Sequence, residues 1–117
     1  MIHQKRQKKF GRTLGQRQAF LRGLLNNLIK NEKIETTHAR AQAIRPEIEK
    51  MVTLAKKQNV ASLRLLIARL GDKKNALKLY YDIAPRYNER KGGYTRIIKT
   101  MRRRVGDASA RSIVEFV

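Results

Sequence analysis

Residues 33–55 read KIETTHARAQAIRPEIEKMVTLA, and they decide the fold because a strand, a helix cap and a helix follow one another directly. The segment from Lys33 to Thr37 is short and contains β-branched residues, which predicts a strand. Thr37 is then a suitable N-cap for a helix. Apolar residues recur along that helix at the spacing of one buried face, namely at Ile44, Ile48, Met51, Val52 and Ala55. Because Pro46 lies inside this helix and removes a backbone donor, we expect a kink or a break near Arg45.

Three more helices are predicted on either side of this segment. The first begins at Gln16 and ends at Asn31 and Glu32, with apolar residues along one face at Phe20, Leu21, Leu24, Leu25, Leu28 and Ile29. Another runs from about Asn59 to a closing Gly71, with its inward positions at Val60, Leu63, Leu66, Ile67 and Leu70. Asp72 caps the last helix, which stops before Pro85 and whose apolar residues are Ala76, Leu77, Tyr80, Ile83 and Ala84.

After Pro85 the composition changes to a charged loop and two strands. One strand covers Tyr94 to Arg104, and the other covers Ala110 to Val117 with Ala110, Ser112, Val114 and Phe116 on one face. Gly106-Asp107-Ala108 is a plausible hairpin turn between them. The predicted fold class is α+β, with about four helices on one face of a small mixed sheet. We expect residues 1–117 to form a single domain, with residues 1–15 as a basic extension.

The chain carries 28 Lys and Arg residues against 9 Asp and Glu residues, a formal net charge of +19 in 117 residues. Such an excess repels itself unless a polyanion neutralises it. Nucleic acid is the densest common polyanion, with about one charge per 1.7 Å of duplex. The basic residues are concentrated toward both ends of the sequence, while residues 32–58 are nearly balanced. The charge therefore indicates nucleic-acid binding by the two ends and a scaffolding role for the middle.

Enzyme, metal and membrane functions find little support. The chain has no cysteine, and His3 and His38 lie far apart without a second ligand at metal spacing. Glu47 and Glu49 are two residues apart on a helix and therefore do not face each other as an acid–base pair would. No phosphate-binding glycine loop and no apolar stretch long enough to span a membrane occurs in the sequence. We therefore expect no cofactor, no small-molecule substrate and no catalytic role.

Three basic clusters are candidates for contact with nucleic acid. The N-terminal arm is either a solvated terminus or a segment that orders between RNA helices, and its cations are Lys5, Arg6, Lys8, Lys9 and Arg12. The second cluster joins arginine forks to glycines that let a backbone approach phosphate, and it contains Arg86, Arg90, Lys91, Gly92, Gly93, Tyr94 and Arg96. Tyr94 either stacks on a base or belongs to the core. The third cluster either faces phosphates or is a solvated hairpin end, and it contains Lys99, Arg102, Arg103 and Arg104.

Two other classes of function compete with RNA binding. A DNA-binding module could use the third and fourth helices as a helix-turn-helix, but the candidate recognition helix begins Asp72-Lys-Lys-Asn75, which offers few base-reading side chains. An RNA-modifying enzyme would need an acid–base pair or a cofactor loop, and the sequence nominates neither. Both are weaker hypotheses than a structural RNA-binding protein.

Several stretches resemble one known family, the bacterial-type large-subunit ribosomal protein seventeen. They are Ile34-Glu-Thr-Thr37 with Ala39-Arg-Ala41, Ala84-Pro-Arg-Tyr87, Gly92-Gly-Tyr-Thr-Arg-Ile97, Arg104-Val-Gly-Asp107 and Ile113-Val-Glu115. They occur in the family's order and extend over nearly the whole chain, and the Gly-Gly-Tyr-Thr-Arg segment is quite specific.

The resemblance implies a structural protein of the cytoplasmic ribosome, bound to large-subunit ribosomal RNA on the solvent side near the exit of the peptide tunnel. It also implies that the arm and the helix after it face RNA. The positions that match the family pattern there are His3, Lys5, Lys9, Arg12, Arg17 and Arg22. The neighbours it suggests are ribosomal proteins thirty-two and twenty-two.

Overall fold

The computed structural model describes residues 14–103, 106 and 110–117. Its regular elements are α1 (Leu14–Asn31), β1 (Lys33–Thr37), α2 (His38–Ala55), α3 (Val60–Leu70), α4 (Lys73–Lys78), β2 (Thr95–Arg103) and β3 (Ala110–Phe116). Between α4 and β2 the chain forms a π-helical turn, Leu79–Ile83, and a 3₁₀ turn, Ala84–Tyr87. The α+β class is thus confirmed, and β1 has the predicted bounds. Residues 1–13 of the predicted arm 1–15, Arg104, and the turn residues Asp107 and Ala108 lie outside the described residues. Leu14 and Gly15 belong to α1, which begins two residues before the predicted start at Gln16, so the arm is shorter than predicted.

The three strands form one sheet in the order β1-β3-β2, and both pairings are antiparallel. The prediction of a mixed sheet is therefore wrong in this detail. Antiparallel pairing places Lys33 opposite Glu115, whereas a parallel arrangement would bring Lys33 toward Arg111. Because opposite charges stabilise a cross-strand pair and like charges destabilise it, the observed direction is the favourable one.

The core surrounds α2, with buried residues of α1, α3 and the segment 76–87 as well as Val114 of the sheet, and the predicted apolar face of α2 is confirmed. All five residues of that face are buried together with Ala41: Ile44, Ile48, Met51, Val52 and Ala55. From the sheet, Val114 is fully buried against them, and the buried Ser112 hydroxyl lies 2.7 Å from His38 Nδ1 at the start of α2. The predicted N-cap is present, since the Thr37 side chain accepts a hydrogen bond from the Arg40 backbone N–H.

Helix α2 continues through Pro46 without the break that the sequence suggested. Proline removes the hydrogen bond to the carbonyl of Gln42, but both residues are on the exposed face, where water can hydrate that carbonyl. The opposite face buries six side chains at about 1.5–3 kcal/mol for each large one, which outweighs a proline cost of about 3 kcal/mol.

The two following helices differ from prediction at particular residues. Helix α3 has the predicted Asn59 cap, whose side chain accepts from Ser62 N, and the predicted Gly71 end, at a φ of 66° that suits glycine. Val60, however, is 62% exposed and does not point inward, since it lies in the first turn of α3. Leu63 and Ile67 are partly buried, while Leu66 and Leu70 are buried.

The fourth helix neither keeps α-helical geometry nor stops before Pro85. After Lys78 it widens into the π-helical turn, where the Gln58 side chain donates to the carbonyl of Tyr80 at 2.8 Å. Pro85 then lies at the start of the 3₁₀ turn, where its missing N–H costs nothing. Leu77, predicted to face the core, is only partly buried, whereas the neighbouring Leu79 is buried.

Glu49 of α2 and Lys56, the residue that follows α2, hold the segment that enters β2. One Glu49 oxygen accepts from the Tyr94 N–H at 3.2 Å, and the other accepts from the Thr95 N–H at 2.9 Å and from the Thr95 hydroxyl at 2.7 Å. Two turns later, the Lys56 ammonium donates to the carbonyl of Arg90 and, at 3.1 Å, to the Tyr94 hydroxyl. The chain between Arg90 and Thr95 is therefore fixed at both ends to one helix face.

We predict that Ile48→Ala lowers the free energy of unfolding by about 2–5 kcal/mol, because Ile48 is fully buried and truncation leaves a cavity. Urea denaturation followed by circular dichroism measures this change. Val60→Ala, a similar truncation at an exposed site, should change the same free energy by less than about 0.5 kcal/mol. Equal effects of the two substitutions would contradict the position assigned to α2 in the core.

We predict that Glu49→Gln lowers the free energy of unfolding by about 1–3 kcal/mol, because the amide replaces a carboxylate oxygen that accepts from N–H and O–H donors. The matched control is Glu47→Gln, two residues earlier on α2, with an expected change below about 0.5 kcal/mol. If Glu47→Gln is as destabilising as Glu49→Gln, the clamp on β2 does not contribute as described.

Candidate nucleic-acid interface

The carboxylates of this chain are largely used within the fold. Four of them form ion pairs: Glu32 with Lys78 and Arg86, Asp82 with Arg86, Glu35 with Arg111, and Glu115 with Arg96. Two more accept hydrogen bonds from the backbone, namely Glu49 at the start of β2 and Asp72 at the N-cap of α4. The chain has nine acidic and 28 basic residues, so its carboxylates are too few to neutralise most of its cations.

The basic loop, residues 88–93, presents cations on a backbone that is already ordered. Its Arg90 N–H donates to the carbonyl of Tyr87 at 2.9 Å, and Glu49 and Lys56 fix its far end. Arg90 and Lys91 are exposed, and Gly92 and Gly93 adopt φ values of 111° and 63°. Other residues rarely adopt these angles, so the two glycines allow the loop to turn sharply beside its cations. A loop that is ordered before binding loses less entropy when a phosphate docks.

Arg86 lies beside the basic loop but already has carboxylate partners. Its guanidinium contacts both Glu32 oxygens, at 2.6 and 3.3 Å, and reaches Asp82 at 3.2 Å. The hydrogen bond from Arg86, helped by Lys78, lowers the pKa of Glu32, and the same hydrogen bond raises the pKa of Arg86. Arg86 therefore links the residue after α1 to the 3₁₀ turn, a role that charge counting alone did not reveal.

Tyr94 belongs to the core, which was one of its two predicted roles. Its side chain is 3% exposed, and its ring lies 5.4 Å from the ring of Tyr87 and 5.0 Å from the Lys56 ammonium. A base has no access to either face of a ring in this position. We therefore omit Tyr94 from the surface proposed below.

The remaining candidates lie on the strands or outside the described part. Arg96 is exposed on β2, where its guanidinium contacts Glu115 at 2.6 Å, and Lys99 is exposed three residues further on. Arg102 and Arg103 belong to the same strand. The residues outside the described part are His3, Lys5, Arg6, Lys8, Lys9, Arg12 and Arg104.

The notion that residues five apart on a helix lie on roughly opposite flanks does not hold for Arg17 and Arg22, since both line one open groove beside α1. The α1 groove is lined by the helix face Leu14, Arg17, Gln18, Leu21, Arg22 and Leu25, together with Glu47, Met51 and Arg69. Sequence reasoning missed Arg69. The α1 side of the groove did have a sequence signal, since residues 14, 17, 18, 21, 22 and 25 share one helix face that mixes cations with leucines.

The described residues can also be searched for metal-ligand clusters and for membrane-spanning helices. Among them, no group of three or more His, Cys, Asp or Glu side chains could hold a metal ion. None of the described helices is long and apolar enough to cross a membrane.

Comparison with known proteins identifies the family of this chain. The family model of ribosomal protein L17 matches residues 20–117. A protein of Sulfurihydrogenibium named large ribosomal subunit protein bL17 is 48% identical, over all of this chain and 97% of the relative. The proteins of the same name from Persephonella marina and Shouchella clausii are 51% and 50% identical, over 100% and 93% of this chain and 95% and 97% of the relatives.

A full-length match at this identity agrees with the family resemblance of the Ile34–Thr37 and Gly92–Ile97 stretches. The chain therefore belongs to the ribosomal protein L17 family, whose members are structural proteins of the large ribosomal subunit in the cytoplasm and not enzymes.

Proposed function

We propose that this chain is a structural component that binds the ribosomal RNA of the large subunit, on the solvent side near the exit of the peptide tunnel. The observation that carries the proposal is the distribution of charge in the fold. Carboxylates are used at the junctions between elements, while cations remain exposed on α1 and on the basic loop. Because each phosphate contact releases condensed counterions, such a surface gains most from a polyanion.

The proposed RNA surface combines residues whose side chains the structure describes with residues that sequence and family resemblance support. The described part consists of Arg17 and Arg22 on α1, the basic loop with Arg90, Lys91, Gly92 and Gly93, and Arg96 and Lys99 on β2. Arg86 takes part through its exposed edge while it holds Glu32. Sequence and family resemblance support the remaining members: His3, Lys5, Arg6, Lys8, Lys9, Arg12, Arg102, Arg103 and Arg104. Ribosomal proteins thirty-two and twenty-two are the neighbours proposed on the same basis.

DNA binding by a helix-turn-helix receives no support from α3 and α4. Helix α4 is six residues long, which is short for a helix that reads base edges along a groove. Asn75, the best base-reading candidate near its start, is buried, and its side-chain amide donates to Asn26 at 2.9 Å and to Asp72 at 3.3 Å. A side chain committed in this way cannot read a base.

We predict that Lys91→Ala weakens binding to large-subunit ribosomal RNA by about threefold to tenfold, because it removes a cation from the basic loop. Filter binding with the full chain at 100 mM salt measures the change. The matched control is Lys33→Ala on the sheet, where the cross-strand partner Glu115 supplies negative charge. Since both lysines are exposed, neither substitution should alter the circular dichroism spectrum. Equal weakening by both would show that the loop has no special role.

We also predict that structured ribosomal RNA competes for the chain at least tenfold better than duplex DNA of equal length. Unpaired loops and junctions of folded RNA offer irregular phosphate arrangements that a loop and an arm can fit, whereas a regular duplex does not. A competition experiment with labelled ribosomal RNA measures this ratio. A ratio near one would indicate nonspecific attraction to polyanions instead.

A further inference from the structure

The α1 groove combines features that neither the core nor an ordinary solvated surface needs. Leu14, in the first turn of α1, is 61% exposed, and Leu21 is only partly buried. Met51 of α2 lines the groove together with these two leucines, and the three side chains form its apolar floor. Arg17, Arg22 and Arg69 also line the groove and border this floor. An apolar floor bordered by cations suits a ligand that has one apolar part and one anionic part.

Arg22 and Arg69 both line this groove, and Arg22 packs against the turn that ends α3. A Cβ atom at Gly71 would lie 3.3 Å from both Cδ and Nη1 of Arg22, so the Arg22 side chain rests on bare backbone there. Gly71 ends α3, and Arg69 belongs to the last turn of that helix. The negative end of the α3 dipole partly offsets their positive charge, but guanidinium groups gathered in this way still favour an anion.

From this groove we infer a binding site for a single unstacked nucleotide of the large-subunit ribosomal RNA, an inference that rests on the function proposed above. The guanidinium groups of Arg17, Arg22 and Arg69 hold its phosphate. The base lies against Leu14, Leu21 and Met51. Glu47, one helical turn before Met51, contributes a carboxylate that accepts a hydrogen bond from a ribose hydroxyl or a base amino group.

The charges and the apolar floor select this occupant over others. The chain's own arm, residues 1–13, is basic and would be repelled by the three arginines. An RNA duplex offers phosphates but keeps its bases stacked, so it would leave the apolar floor uncovered. A nucleotide that has left the stack fills both parts of the groove, since protein sites for single-stranded RNA pair cations with surfaces for bases.

The test compares two pairs of single substitutions in the full chain by filter binding to large-subunit ribosomal RNA at several salt concentrations. Arg69→Ala is matched by Arg64→Ala, because both arginines are exposed on α3. Leu14→Ala is matched by Val60→Ala, at exposures of 61% and 62%. All four sites are exposed, so unchanged circular dichroism spectra are expected.

We expect Arg69→Ala to weaken binding about tenfold and to reduce the salt slope by about 1, since one phosphate contact is lost. Leu14→Ala should weaken binding about threefold with an unchanged salt slope, because it removes an apolar contact and no charge. The Arg64 and Val60 controls should bind within about twofold of the unsubstituted chain.

Different failures have different meanings. If the unsubstituted chain binds the RNA but each variant behaves like its control, the groove is not a nucleotide site and the proposed function stands. If poly-glutamate competes as well as the RNA does, the groove recognises negative charge without a nucleotide, and the inference is overturned. If the unsubstituted chain does not bind the RNA at all, the proposed function fails and the groove site fails with it.

Discussion

The constraint on which this structure depends is its scarcity of negative charge. Nine carboxylates must help to hold together a chain that has 28 cationic residues, and the fold places them at junctions between elements. Glu32 ties the end of α1 to the helical segment that follows α4, and Glu49 ties α2 to β2. Within the sheet, Glu35 contacts Arg111 and Glu115 contacts Arg96 across the strands. The contacts of the carboxylates thus hold the elements in their arrangement, and the surplus of cations remains on the surface.

This arrangement explains how a strongly basic chain both folds and serves an RNA-protein particle. Partly exposed ion pairs stabilise a fold only modestly, so the hydrophobic core around α2 supplies most of the stability. The carboxylates at the junctions then hold particular segments in place on this stable core. Glu49 and Lys56 order the basic loop on one face of α2, and Arg22 packs against Gly71 at the end of α3. Cations positioned in advance contact phosphate with less loss of entropy than cations on free chain.

Most of the fold could be predicted from the sequence because local signals agreed with tertiary packing. The strand at 33–37, the Thr37 cap, the apolar face of α2 and the Gly71 end of α3 all have short-range signatures. A break of α2 at Pro46 and an end of the fourth helix before Pro85 were wrong predictions, because they considered only the lost hydrogen bond and not the packing or the 3₁₀ geometry around it. In the candidate site, Arg86 acquired carboxylate partners from the residue that follows α1 and from its own helical segment. Arg69 lines the α1 groove although it belongs to α3. A contact between two separate helices of this kind leaves no local pattern in the sequence.

The most direct test of the central claim, that surplus cations on this fold are neutralised by ribosomal RNA phosphates, is the salt dependence of binding by the unsubstituted chain. With about 6–10 phosphate contacts, affinity for large-subunit ribosomal RNA should fall roughly 10³- to 10⁵-fold between 50 and 200 mM salt, linearly on logarithmic axes. An affinity that stays constant over this range would mean that the exposed cations contact few or no phosphates, and it would contradict the claim.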